Sequence, residues 1–393
     1  MKALTPELLA PAGNLQKLKI AVLYGANAVY LGGLKFGLRS AADNFTESEI
    51  EEGVNFAHLR GAKVYVVLNS FLHDKEVAEL PPFIHFLEKV GVDAVIVSDL
   101  GVVHEVRRLS QLEIHLSTQS SCLNSYAAKF WKQQGVTRIV LGREVSIAEA
   151  KRIKEQAGIE VEMFIHGAMC MAISGKCSLS NYSTGRDSNR GGCAQNCRFH
   201  YTLTDGQKSV DSFFMSSKDL NGMELLPQFI EAGIDSLKIE GRMKSHLYVG
   251  TLSLAYSQAI ASYRQTGNIP QSLYQELDKV THRAYCSGSL DKPAGGDSIY
   301  AEREHEEGEY QSVGSIIDVY GNEFLMIEVR AAFHLGDTLE ILTYQQGVKY
   351  LPLSFVKNVL DEDVARTNPG TIVKIPFVEG VAVGNIVRLR EGQ

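Results

Sequence analysis

The stretch "RIVLGREVSIAEAKRIKEQAGIEVEMFIHG", residues 138–167, reads as one unit of strand, helix and strand. RIVLGR (138–143) and VEMFIHG (161–167) are short runs rich in β-branched and apolar residues. SIAEAKRIKEQAG (146–158) repeats its apolar residues at helical spacing, opens on a plausible cap at Ser146 and stops at Gly158.

Outward from this unit the same alternation fills the first two-thirds of the chain. Further strand candidates are LLAPA (8–12), AVYLG (28–32), KVYVVLN (63–69), AVIVSD (94–99), EIHLST (113–118) and SLKIEG (236–241). Helix-period segments such as NLQKLKIAVLYG and TESEIEEGVNFAHLRG lie between them, with caps at Asn14 and Thr46 and stops at Gly25 and Gly61. Most of the strand runs are apolar on both faces, the pattern of buried parallel strands. Eight strands, nearly all followed by helices, predict an α/β fold of the (β/α)8, TIM-like barrel type, with a doubly wound open sheet as the rival. Residues 168–232, between the seventh and eighth strands, are far too many for an ordinary βα loop and read as an insertion. In a barrel it opens onto the C-terminal face, where active sites lie.

The barrel is expected over 1–267, ending in a long helix, HLYVGTLSLAYSQAIASYRQTG (246–267). Residues 268–307, with Pro270, Pro293 and the Gly-rich CSGSLDKPAGGD, read as a linker. From 308 to 393 the pattern becomes period-2 strands with turn signals, as in VGSIIDVYGNEFLMIEV and GTIVKIPF, and predicts a small C-terminal β-barrel.

The chain has 393 residues, 45% hydrophobic and 22% charged, an ordinary globular composition. Its opening, MKALTPELLAPAG, carries no charged region followed by a long apolar run, so no secretory leader is expected there. No apolar stretch reaches the ~18 residues of a spanning helix. A cytoplasmic protein with no membrane partner is expected, and in that reducing compartment clustered cysteines favour metal binding or catalysis over disulfides. The net charge of −7 argues against a broadly basic coat, and no DNA partner is expected. Lys176, Arg186, Arg190 and Arg198, against Asp187, nevertheless form a local positive zone.

That zone surrounds four of the six cysteines, Cys170, Cys177, Cys193 and Cys197, in the pattern C-x6-C-x15-C-x3-C. Disulfides, a metal or iron–sulfur site and a nucleophilic thiol compete as explanations. Structural zinc favours paired, tight C-x2–4-C knuckles, and only Cys193 and Cys197 are that close. Spacing therefore favours a [4Fe–4S] cluster over zinc while leaving zinc, or neither, open. Four protein ligands would leave no open iron, which points to electron transfer or structure. Cys122 and Cys286 read as ordinary thiols.

Asn69, Asp99, Gln119, Arg143, His166, Glu240 and Arg242 fall at the expected C-terminal ends of strands. Individually each suits a rim hydrogen bond; together they would make a polar pocket. Arg143, Lys238 and Arg242 are anion anchors by residue type. His166 could give a proton or hydrogen-bond a cluster sulfur. We assign His166, Arg143 and Glu240 to catalysis. Asn69, Asp99, Gln119, Lys238, Arg242 and the insertion's Arg186 and Arg190 are assigned to substrate. H-E-x-x-H and G-x-S-x-G are both missing, so peptidase chemistry finds little residue support.

The run "EMFIHGAMCMAISGKCSLS" (162–180) resembles the signature of the collagenase-like peptidase family, a class named for an unassigned mechanism. ELLAPAGN (7–14), GANAVY (25–30), RGGCAQNCR (190–198) and SLKIEGRMKS (236–245) resemble the same family in the same order, and FHLGDTLEIL (333–342) extends the likeness. The resemblance implies an oxygen-independent hydroxylase with Cys170, Cys177, Cys193 and Cys197 as [4Fe–4S] ligands. Members act on quinone precursors, a ribosomal RNA cytidine or the wobble uridine of tRNA. The layout is most similar to the uridine-hydroxylating members, which implies prephenate as co-substrate, the tRNA anticodon arm as partner and the iron–sulfur assembly machinery as supplier. A peptidase, a hydroxylase acting on ribosomal RNA or a quinone precursor, and a non-catalytic RNA-binding factor are the alternatives.

Overall fold

The computed structural model describes residues 5–38, 43–301, 308–344 and 346–390. Two compact units divide the chain. One comprises Met1–Val22, Ala26–Met243 and Arg283–Glu306; the other comprises Leu23–Gly25, Lys244–His282 and Glu307–Gln393.

The first unit is a closed parallel barrel. Strands β1 (Glu7–Pro11), β2 (Ala28–Leu31), β3 (Lys63–Leu68), β4 (Ala94–Val97), β5 (Glu113–Leu116), β6 (Arg138–Val140) and β7 (Glu160–Ala168) pair in chain order. Helices α1 (Leu15–Leu23), α2 (Glu47–His58), α3 (Asp74–Val77), α4 (Leu80–Lys89), α5 (Leu100–Leu109), α6 (Ser125–Gln133) and α7 (Ile147–Ala157) lie between them. Thr46 and Ser146 cap α2 and α7 in reciprocal boxes with Glu49 and Glu149, which satisfies backbone N–H groups at each helix start. Gly158 ends α7 in the left-handed region, φ 61°.

The insertion after β7 has structure of its own. It contains α8 (Leu179–Thr184), a hairpin of β8 (Tyr201–Thr204) and β9 (Ser209–Ser212), a short β10 (Asp219–Asn221) and α9 (Leu226–Glu231). The next strand, β11 (Ser236–Ile239), bonds to β1 through Glu7↔Ser236 and to β7 through Ser236↔Glu162, so the ring closes and the open-sheet rival is excluded. β10 runs antiparallel along the end of β7, pairing Asn221 with His166 and Asp219 with Ala168. It therefore carries the chain back from the cysteine segment alongside the strand it left.

The barrel interior has two characters. Leu9, Tyr30, Tyr65, Val67 and Ile96 form an apolar cluster on β1–β4. On the opposite wall β5, β6, β7 and β11 bury His115, Arg138, Glu162 and Lys238.

Residues 268–307, read as a linker, need correcting where the structure describes them. Pro270 opens a helix, α11 (Gln271–Leu277), and Tyr285–Cys286 form β12, parallel to β10. Backbone bonds from Ile147 to Leu290, Lys218 to Ser298 and Tyr300 to Ser216 fasten 285–300 to the first unit. Turn-rich composition cannot tell a free connector from a strap whose backbone is paired elsewhere. The long helix α10 (His246–Thr266) belongs to the second unit, so the first does not run unbroken to 267.

The second unit holds β13 (Tyr310–Tyr320), β14 (Phe324–Val329), β15 (Thr338–Thr343), β16 (Gly347–Pro352), β17 (Lys357–Asn358), β18 (Ile372–Pro376) and β19 (Ile386–Arg390). They form a seven-stranded antiparallel sheet, in the order β16-β15-β19-β13-β14-β18-β17, over a core that includes Ile316, Ile327, Phe333, Ile341 and Val387. No described helix is long and apolar enough to cross a membrane.

Candidate functional site

The candidate residues stand at or near the C-terminal ends of the barrel strands. Asn69 follows β3 and donates from Nδ2 to Ser117 Oγ at 3.2 Å and, at 3.5 Å, to Gln119 Oε1. The Ser117 hydroxyl in turn donates to Gln119 Oε1, and Ser98 Oγ donates to the Asn69 carbonyl at 3.0 Å. This amide–hydroxyl–amide row leaves Asn69 Oδ1 buried with no hydrogen-bond donor among the described residues. Ser117 and Ser98 belong to it and went unnoticed in the sequence, where serine at a strand end is an ordinary turn residue.

Asp99 has a different role. Its Oδ1 accepts from the Val102 N–H at 3.1 Å and caps α5.

Across the mouth, the Arg143 guanidinium lies over the Phe164 ring at 4.0 Å and lines a small cavity with Leu141, Met163, Met169 and Leu290. His166 is buried, with Nε2 3.4 Å from the Tyr285 hydroxyl and its carbonyl accepting from the Glu240 N–H at 2.8 Å. Glu240 is thus held beside His166 through the backbone. Tyr285 reaches the site from the strap at 285–300, a distance along the chain that no local pattern reveals. Arg242 is buried and donates to Asn44 Oδ1. A side chain at Gly32 would meet its guanidinium at 2.5 Å, so glycine there makes room for it.

Lys238 is not a free anion anchor. Its Nζ pairs with Glu162 Oε1 at 2.7 Å and sits 4.4 Å from the Tyr30 ring. Arg138 bonds Glu7 at 2.6 Å and lies 3.6 Å from Glu162. Burial pushes the Glu162 carboxyl up, but the Lys238 and Arg138 charges outweigh it and hold it below the usual carboxylate range. Burial likewise lowers His115, keeping the imidazole neutral. These charges lie on different strands, so only closure of the ring pairs them.

The insertion brings the four cysteines into one neighbourhood. All are free; Cys170 and Cys193 are exposed, Cys177 and Cys197 half-buried. Burial, then the charges of Cys170, Cys193 and Cys177, raise the Cys197 thiol, so each of the other three lies within electrostatic range of Cys197. Among the described residues no three His, Cys, Asp or Glu side chains are drawn into metal-ligating geometry. By residue type the four cysteines are the donor set of a four-thiolate group; no disulfide competes for them, and the Leu179 N–H donates to Cys177 Sγ at 3.3 Å. Asn189 clamps the Cys177 backbone on both sides, at 3.2 Å and 2.9 Å.

The two insertion arginines part company. Arg190 makes a two-pronged ion pair with Glu76, at 2.8 Å and 2.6 Å, and donates to the Phe71 carbonyl at 2.5 Å. The Arg190 hydrogen bonds pull the Glu76 carboxyl down to about 2. Arg190 therefore ties the cysteine loop to α3 and to the loop before it, and its expected role at the substrate is not what the geometry favours. Arg186 is exposed.

A family model described as Peptidase family U32 matches residues 13–299. The chain belongs to peptidase family U32. It is 41% identical to "tRNA hydroxylation protein P1" of Bacillus subtilis, over 98% of this chain and 94% of that protein. It is 35% identical to the "23S rRNA 5-hydroxycytidine C2501 synthase" of Escherichia coli, over 88% of this chain and 53% of that protein. It is 33% identical to a "Collagenase" of Porphyromonas gingivalis, over 95% of each. Within the family, then, relatives of similar length carry names from two different chemistries.

Proposed function

We propose that this chain is an RNA-modifying enzyme that hydroxylates a pyrimidine, with the wobble uridine of tRNA as target and prephenate as co-substrate. The observation that carries the reading is likeness along nearly the whole chain to a named tRNA hydroxylation protein, joined by likeness to an rRNA hydroxycytidine synthase. The site is compatible with it. Arg143 offers a guanidinium group to an anionic co-substrate. The row Asn69–Ser117–Gln119 offers amide donors and acceptors to the edge of a base taken out of its stack. His166, backed by the Tyr285 hydroxyl, holds or moves a proton at Nε2, with Glu240 beside it.

Cys170, Cys177, Cys193 and Cys197 would hold a [4Fe–4S] cluster, which when bound supplies one-electron chemistry at the mouth. The anticodon arm and the iron–sulfur assembly machinery follow as partners, in the cytoplasm. Nucleoside mass analysis of tRNA from a deletion strain, with and without the gene restored, tests the reading. Loss of hydroxyuridine and its return on complementation are expected; an unchanged nucleoside profile refutes it.

Peptide hydrolysis is the second reading, favoured by the family's description and the collagenase relative. It requires cleavage of gelatin or casein that disappears when one Ser, His or Cys is changed. We expect none above a mock preparation.

A further inference from the structure

The insertion displays an aromatic side chain on an unusually constrained support. Tyr182 is 92% exposed on α8, a helix of only six residues that could not hold its shape alone. Its other residues are fixed from behind. Ser180 Oγ donates to Asn196 Oδ1 at 3.0 Å and accepts from the Ala194 N–H at 3.1 Å. Asn181 Oδ1 accepts from the Ser188 N–H at 3.2 Å, while Thr184 Oγ1 donates back to the Ser180 carbonyl at 2.8 Å. Tyr182 thus projects from a short helix whose inner face is locked to the turns carrying Cys193 and Cys197.

Two cations stand close to Tyr182 along the chain. Lys176 and Arg186 are exposed, whereas Asp187, the acid between Glu162 and Asp205, turns inward to accept from the Asn189 N–H at 2.9 Å. Phe199, 50% exposed, follows the turn Asn196–Arg198 that packs on α8. Arg190 does not add to this field, because Glu76 neutralises it. In a chain of net charge −7, an exposed aromatic on a braced helix, with exposed cations six residues before it and four after it in the same insertion, is complementary to an anionic strand whose bases are free to stack.

We propose that Tyr182 is a stacking platform for an unpaired RNA nucleotide flanking the one that enters the barrel mouth, with Arg186 and Lys176 on the adjoining phosphates. This rests on the RNA-modification reading and names the surface by which that site takes its substrate. The ring is presented at almost no ordering cost, since the helix beneath it is already fixed. Only single-stranded or loop nucleotides can use it, because a paired base has no free face.

The test measures binding of the full chain to unmodified tRNA, and to a duplex RNA of equal length, by fluorescence anisotropy at several salt concentrations. Y182A and Y182L are each expected to weaken tRNA binding by about 5-fold to about 100-fold, with Y182W near the parent. Leucine keeps apolar area but has no π face, so binding by Y182L equal to the parent would overturn stacking and indicate a protein-type contact instead. R186A is expected to lower the salt slope by about 0.7 to 0.9. The Tyr182 ring points into solvent while the contacts that brace α8 come from other residues, so iron content and thermal unfolding should match the parent. Hydroxylation measured in parallel separates the two ideas. A parent that hydroxylates tRNA while Y182A retains full affinity sinks the platform alone, whereas a parent that neither binds nor modifies RNA sinks the reading beneath it.

Discussion

Glu162→Gln probes the ionic wall of the barrel directly. Glu162 is fully buried, 2.7 Å from Lys238 Nζ and 3.6 Å from Arg138. Two unit charges at 2.7 Å attract by about 6 kcal/mol at an effective dielectric near 20, most of which offsets the desolvation of the pair. Glutamine keeps the shape but leaves Lys238, 5% exposed, as a buried cation without its partner. Breaking such a pair from one side costs about 3–5 kcal/mol. For a unit of this size that corresponds to a fall of roughly 10 °C in Tm, read by circular dichroism at pH 7. The double change Glu162→Gln with Lys238→Met removes both ends and should recover most of the loss. The sign with pH is fixed as well. The folded carboxyl is held below its ordinary value, so its stabilisation is present above the unfolded value and disappears as pH falls through the folded one. The gap between parent and Glu162→Gln should therefore narrow in acid. A single variant melting within about 2 °C of the parent, or a double variant worse than the single, would refute the pairing as the wall's organising contact.

Replacing Cys170, Cys177, Cys193 or Cys197 with Ala should remove iron from anaerobically prepared protein, whereas Cys122→Ala and Cys286→Ala should keep it; iron analysis and the visible spectrum decide. His115 is buried and held neutral, so stability should decline as pH drops below about 6.5, where the unfolded imidazole takes up a proton. His115→Gln should flatten that part of a pH series of urea midpoints. Arg190→Ala should free the cysteine loop from Glu76, raising proteolysis within 188–200 and lowering iron while leaving the salt slope of RNA binding unchanged. An unaltered digestion pattern would show that the ion pair does not hold the loop.

The sequence by itself determined the repeating unit, the eight strands and the place of the cysteine insertion. Each depends on local periodicity, as in 138–167, where neighbours along the chain settle what forms. Closure was beyond it, because the bond between Ser236 and Glu162 joins strands with the whole insertion between them. The positions of Asn69, Gln119, Arg143, Glu240 and Arg242 near strand ends, and of His166 within the last residues of β7, were legible from the strand pattern alone. Asp99, Lys238 and Arg190 were legible only as polar residues in the right places. What they do depends on partners brought up by folding: an N–H three residues on for Asp99, a carboxylate on the neighbouring strand for Lys238, and an acid of α3 for Arg190. The same physics hid Ser117 and Tyr285, whose roles come from a neighbour's side chain. A charge in sequence is a potential; tertiary structure decides whether a counter-charge within hydrogen-bond reach uses it or water leaves it available, as with Arg190 and Arg186.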